Sequence, residues 1–152
     1  MANVMFIFPG QGSQYKGMGK DLIEKSNTVR EIYNKASSVL GYDISELSFH
    51  DKNNEINLTK YTQPVLMTHQ IACYEYFKDF HGGEIKPMLL AGHSLGEYTA
   101  LVVSGSITFE EGISLVSKRG ELMGKHGSGS MLAMPFERES TADIIDQSNC
   151  EI

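Results

Sequence analysis

The chain opens on an unbroken apolar run, Val4-Met5-Phe6-Ile7-Phe8, which stops at Pro9-Gly10. A short run cut off by turn residues is the pattern of a buried strand entering a loop in an α/β protein. From Leu22 the period changes. Leu22, Val29, Ile32, Tyr33, Ala36, Val39 and Leu40 recur at helical spacing, and Gly41 offers a left-handed stop, so one amphipathic helix is expected. Asp51 to Asn57 is polar and Asn-rich, the composition of a surface connection. A second helical pattern follows in Val65, Leu66, His69, Ala72, Cys73, Tyr76, Phe77 and Phe80, ended by Gly82-Gly83.

Met88-Leu89-Leu90-Ala91, between Pro87 and Gly92, has the continuous apolar form of a strand covered on both faces. A helix is expected to start near Leu95. Another is announced by Thr108-Phe109-Glu110-Glu111, where the threonine and the glutamate can satisfy each other's exposed N–H groups as a capping box; it should run to about Met123. After a loose stretch from Gly124 to Gly129, Met131-Leu132-Ala133-Met134 reads as a strand and Ala142 to Gln147 as a helix. The composition changes at that loop, which suggests a subdomain boundary. Nothing repeats along the chain, which excludes solenoids.

With 152 residues, 41% of them hydrophobic, the chain can bury one core but not two comfortable domains. The net charge of -6 leaves no cationic surplus for a phosphate backbone, so nucleic acid is not an expected partner. Cys73 and Cys150 form no metal-spaced pair, and Cys73 falls on the apolar side of its helix; a reducing, cytoplasmic setting fits. No charged leader precedes the first apolar run, and no segment is long enough to span a bilayer, so neither a signal peptide nor a membrane partner is expected.

Chemistry concentrates in Gly92-His93-Ser94-Leu95-Gly96, a G-x-S-x-G that follows one expected strand and opens one expected helix. A nucleophile elbow forces its serine into strained geometry and needs small neighbours so that the chain can pass without a Cβ clash. The helix N-terminus beneath it would let the Leu95 amide donate to an oxyanion as Ser94 attacks a carbonyl. The first loop, Gly10-Gln11-Gly12-Ser13-Gln14, is not a nucleotide motif: Tyr15 stands where a dinucleotide fingerprint needs glycine, and Met18 follows Gly17 where a phosphate loop needs lysine. On physics alone it is either an ordinary turn or the source of a second oxyanion donor.

Taken together, Phe8-Pro9-Gly10-Gln11-Gly12-Ser13-Gln14 with Gly17-Met18-Gly19, Thr62-Gln63-Pro64, Gly92-His93-Ser94-Leu95-Gly96-Glu97, and Arg119-Gly120 with Met123 resemble the malonyl-CoA:acyl carrier protein transacylase family in order and spacing. The resemblance runs from the first strand to about Met134 and corresponds to the N-terminal half of a chain about twice this long. It implies an α/β-hydrolase-like core with a parallel sheet and a nucleophile elbow over residues 1–127. Residues 128–152 would begin a small ferredoxin-like α+β subdomain. Ser94 resembles the family nucleophile, and the main-chain N–H groups of Gln11 and Leu95 its oxyanion hole. Arg119 resembles the arginine that grips the malonyl carboxylate, Gln63 a glutamine of the same pocket, and Met123 a residue under the substrate; His93 packs beside the nucleophile or orients the pocket. Without the resemblance Arg119 would read as a solvated helix residue. The implied reaction takes malonyl from malonyl-CoA onto Ser94 and passes it to the phosphopantetheine thiol of an acyl carrier protein, in fatty-acid or polyketide synthesis, with no metal or redox cofactor.

The chain departs from the pattern at the base. G-x-S-x-G folds place their histidine far downstream of the serine, whereas His50, His69 and His81 precede it and His126 follows by only one helix and a loop. Glu97 is explained by the dipole of the helix it opens. The expectation is a nucleophile half whose base comes from further sequence or a second chain, and whose open sheet edge favours association. Two other readings stand beside it. A serine esterase or thioesterase is opposed by the lack of a His-Gly-Gly-Gly type loop and by Arg119. A non-catalytic carrier-binding fragment would have kept the elbow and lost the base.

Overall fold

The computed structural model describes residues 4–81 and 83–127. The expected strand at Met131, the helix after Ala142 and the whole 128–152 segment lie outside the described residues. Strand β1 (Met5–Phe8) pairs in parallel with β2 (Leu89–Gly92), in a register that sets Met5 opposite Leu89 and Phe8 opposite Gly92. Between them run α1 (Lys20–Lys25), α2 (Asn27–Leu40), α3 (Ile44–His50) and α4 (Thr59–Phe80); α5 (Leu95–Val103) and α6 (Phe109–His126) follow β2. The result is a mixed α/β fold in which a crossover of helices returns the chain to the same sheet.

Local chemistry explains most boundaries. Gly41 takes φ 75° and closes α2 with its N–H on the Ser37 carbonyl. Gly83, at φ 72°, does the same after α4 by donating to Lys78 at 2.9 Å. The capping box is present: Thr108 Oγ1 accepts from the Glu111 N–H at 3.2 Å, and a Glu111 carboxylate oxygen accepts from the Thr108 N–H at 2.8 Å. Two expectations need correction. The helix expected from Leu22 to Leu40 is broken at Ser26, whose hydroxyl caps α2 by accepting from Val29 N–H and whose backbone is extended. A serine hydroxyl competes with the helix for backbone donors, and here it wins. The supposedly exposed 51–57 connection follows an unforeseen helix, α3, started by Asp43 accepting from the Ser45 and Glu46 amides. That connection is also partly internal: Asp51 is buried and its carboxylate accepts from the amides of Glu55 and Ile56.

The core lies among the helices. Val29, Tyr33 and Ala36 of α2 meet Val65, Leu66 and Met67 of α4, with Leu95 of α5 and Ile113 and Val116 of α6 closing the cluster. Cys73 is partly buried, and burial pushes its thiol up to about 11, so it stays protonated and inert. Gly120 lets α6 approach α4 closely, since a Cβ there would stand 2.7 Å from the Thr59 carbonyl oxygen. The sheet is lopsided. Phe6 packs edge-on against Tyr74 and Phe77 of α4, while Ile7 is 69% and Leu89 55% exposed. The strand expected to be covered on both faces, Met88–Ala91, leaves Leu89 open to solvent among the described residues, while α4 and α5 pack on the other side of the strand pair.

Two outcomes follow from this packing. Thr108→Ala, which removes the α6 cap, should lower stability by about 1 kcal/mol in urea unfolding at neutral pH. Hydrogen bonds from Thr108 hold the Glu111 carboxyl below its ordinary range. That contribution is present above the unfolded pKa and is lost as pH falls through the lowered folded value, so the deficit of the variant should shrink in acid. Gly120→Ala should cost about 1–3 kcal/mol by overpacking the α4–α6 contact; an unchanged thermal midpoint would show that the two helices can separate freely there.

Candidate active site

Ser94 joins β2 to α5 with φ 54° and ψ -101°, a left-handed conformation that costs a residue with a side chain about 1–3 kcal/mol. Close packing keeps it there. A Cβ on Gly92 would collide with the backbone of Gly96 and Glu97, and one on Gly96 with the Phe8 carbonyl. Glycine at both positions is what lets the end of β1 cross the first turn of α5. The His93 N–H donates to the Phe8 carbonyl at 3.0 Å and the Gly96 N–H to the His93 carbonyl at 2.9 Å, which ties the elbow to β1.

The loop after β1 is clamped to the same elbow. A Cβ on Gly10 would stand 2.6 Å from His93 Nδ1, so the exposed His93 lies along this loop. Leu95 opens α5, where N–H groups have no intrahelical acceptor. Gln11 commits its side chain to Thr59 Oγ1 at 3.3 Å, while its main-chain N–H makes no hydrogen bond among the described residues. The two clamped segments thus each retain an unspent donor, the kind of group that stabilises a developing oxyanion.

Arg119 on α6 reaches the elbow across the fold. Its Nη2 donates to Ser94 Oγ at 3.0 Å and its Nη1 to Gln63 Oε1 at 2.9 Å. Gln63 is fully buried, and its Nε2 in turn lies 3.2 Å from Met123 Sδ. The guanidinium also stands over the Tyr98 ring, 5.7 Å from its centroid, a contact that holds a cation in place without neutralising it. The ion pairs among the described residues all leave Arg119 out. A cation without a carboxylate beside a serine hydroxyl is suited to an anionic group on the serine's own substrate.

The structure therefore brings Ser94, Arg119, Gln63 and Met123 into one chain of contacts, and sets Gln11, Leu95 and His93 in the segments that clamp the elbow. Among the described residues no histidine or carboxylate hydrogen-bonds Ser94. His69 faces Cys73 at 3.4 Å, and burial lowers its pKa, which keeps it neutral. His50 lies 3.9 Å from Glu46, His81 stacks on Phe77, and His126 and Glu97 are exposed. Three residues were missed from the sequence: Tyr98 under the guanidinium, and Gln70 with Thr99 behind the first loop. The signal available for Gln70 was its place about two turns beyond Gln63 on one helix face.

Comparison with known proteins identifies the family and the fold. The acyl transferase domain family matches residues 5–150. The malonyl CoA-acyl carrier protein transacylase of Bacillus subtilis is 39% identical over 97% of this chain, which spans 47% of that relative. The crystal structure of the malonyl CoA-acyl carrier protein transacylase from Clostridium perfringens superposes with a TM-score of 0.81 at 37% identity, covering 96% of this chain and 46% of that one. A malonyl-transacylase solved in complex with a type II polyketide synthase acyl-carrier protein has a TM-score of 0.76 at 42% identity, over 82% of this chain and 40% of that one. This chain thus spans less than half the length of each of these proteins. A serine elbow bonded to an arginine, on a fold shared with these proteins and matched by the family model over residues 5–150, means that the chain belongs to the acyl transferase domain family.

Proposed function

We propose that the full-length protein transfers a malonyl group from malonyl-CoA to the phosphopantetheine thiol of an acyl carrier protein through an ester on Ser94. The observation that carries this reading is the Arg119 guanidinium, 3.0 Å from Ser94 Oγ and held by Gln63 at 2.9 Å. In a malonyl thioester the carboxylate lies one methylene from the reacting carbonyl. A guanidinium in hydrogen-bond contact with the nucleophile is therefore at the right range to grip that carboxylate while Oγ reaches the carbonyl carbon. An acetyl group would leave the same cation unpaired.

In the first half-reaction the Ser94 oxygen bonds to the thioester carbon, the carbon–sulfur bond breaks, and the serine proton passes through a general base to the departing CoA sulfur. In the second half, the carrier thiol attacks the ester and the proton returns to Ser94. The amides of Gln11 and Leu95 donate to the oxyanion in both halves. Arg119 also favours partial negative charge on Oγ, since a nearby cation stabilises the deprotonated form. The base comes from outside the described residues. Residues 1–127 form part of the hydrolase-like domain in this proposal, and 128–152 open its ferredoxin-like subdomain. We place the protein in the cytoplasm, a setting supported by the free thiol of Cys73; no helix among the described residues is long and apolar enough to cross a membrane.

Intact-mass measurement of the full-length protein after exposure to malonyl-CoA should show one malonyl adduct, absent in Ser94→Ala, and discharged faster by a holo carrier protein than by water. No adduct on the wild type would sink the proposal, and faster discharge to water would make the protein a thioesterase. Arg119→Ala should lower kcat/KM for malonyl-CoA about 100-fold, in line with truncating one partner of a buried charge pair. Acetyl-CoA should lose far less; equal losses for both acyl groups would remove Arg119 from the carboxylate site.

A further inference from the structure

Gln70 on α4 is only 6% exposed, and its side-chain hydrogen bonds go to Pro9 and Thr99 rather than to the residues of the proposed site. Both ends of its amide are nonetheless engaged. Its Nε2 donates to the Pro9 carbonyl at 2.7 Å, and its Oε1 accepts from the hydroxyl of the fully buried Thr99 on α5 at 2.5 Å. A buried amide so engaged has one allowed orientation, because the Pro9 carbonyl can only accept and must face nitrogen, which leaves the amide oxygen to accept from the Thr99 hydroxyl.

The Pro9 carbonyl is the start of the loop that ends in the Gln11 amide, and glycine alone separates the two peptide planes. Gly10 is a free hinge in principle. Here its downstream plane is held where Ser13 Oγ donates to the Gly10 carbonyl at 2.9 Å. A peptide's N–H points opposite to its carbonyl, so that bond aims the Gln11 N–H away from Ser13. The upstream plane is held by Gln70. Thr99 sits on the same helix that Ser94 opens, so the Thr99–Gln70–Pro9 chain ties loop and elbow to one buried amide.

We infer that Gln70 is a positioning residue for acyl transfer: oriented by Thr99, it anchors the Pro9 carbonyl and thereby fixes the direction of the Gln11 N–H relative to Ser94. The inference rests on the transacylase reading and deepens it.

The test uses the full-length protein and the rate of malonyl-ester formation on Ser94. Gln70→Leu keeps bulk and removes both bonds; kcat should fall about 10- to 100-fold, the order expected when an oxyanion donor is displaced rather than deleted. KM for malonyl-CoA should stay within about twofold, because Arg119 and Gln63 form a separate grip. Gln70→Glu keeps the acceptor for Thr99 but can donate to Pro9 only when protonated. Its rate relative to wild type should therefore rise as pH falls, within the raised pKa range of a buried carboxyl. His93, the ionisable side chain packed on this loop, is common to both proteins, so its contribution cancels in the ratio. Thr99→Val, which removes one of the two bonds that hold the amide, should reproduce part of the loss. A purely structural role predicts a lower thermal midpoint with unchanged kcat in the folded fraction, or a rise in KM, and a flat pH ratio for Gln70→Glu; any of these overturns the inference. If the wild type forms no ester, it is the transacylase reading itself that fails.

Discussion

The structure turns on one close crossing: the carbonyl end of β1 passes over the first turn of α5 with no side chain between them. Gly96 lies against the Phe8 carbonyl and Gly92 against the backbone of Gly96 and Glu97. Ser94 is held in its left-handed conformation because any relaxed alternative would part these surfaces. The strain of about 1–3 kcal/mol in such a residue is matched by the burial of Leu95 just beyond it, worth about 1.5–3 kcal/mol. Because the crossing also brings β1's loop to the elbow, the parallel strand pair and the two segments with free amides are one construction.

Helix α4 acts as the second frame. Gln63 and Gln70 lie about two turns apart on one face of it, and each ends at a different part of the site: Gln63 on the Arg119 guanidinium, Gln70 on the Pro9 carbonyl. Both are buried amides with partners at either end, so each is restricted to one orientation. The other side of the arrangement is set by α6, whose approach at Gly120 brings Arg119 within reach of α5. Tyr98 keeps the cation flanked without pairing it. Among the described residues the charge has no carboxylate partner, which is what distinguishes this arginine from one serving a structural ion pair.

Several elements could be read along the chain because their causes are local. The capping box at Thr108, the left-handed stop at Gly41 and the periodic apolar face of α2 depend on residues a few positions apart, and each is present. Local competition was also what misled: Ser26 has the chemistry to continue a helix poorly or to cap the next one well, and it caps. Helix α3 is short enough that its apolar period is faint, although Asp43 marked its start. The exposure of Ile7 and Leu89 could not be anticipated from an apolar run, since hydrophobicity states a preference for burial and not what is present to provide it.

For the site, the sequence by itself determined the elbow, because glycine-serine-glycine between a strand and a helix is a local steric statement. It also determined, through the resemblance, which arginine, glutamine and methionine to watch. What only the tertiary structure decided is who touches whom: Arg119 meets Ser94 from 25 residues away and Gln63 from 56, and Gln70 reaches Pro9 from 61. These contacts depend on the angle and distance at which α4, α5 and α6 pack, and those follow from the summed fit of many core side chains rather than from any residue's own preference. An arginine on a helix reads as a solvated charge until packing sets a serine hydroxyl in front of it.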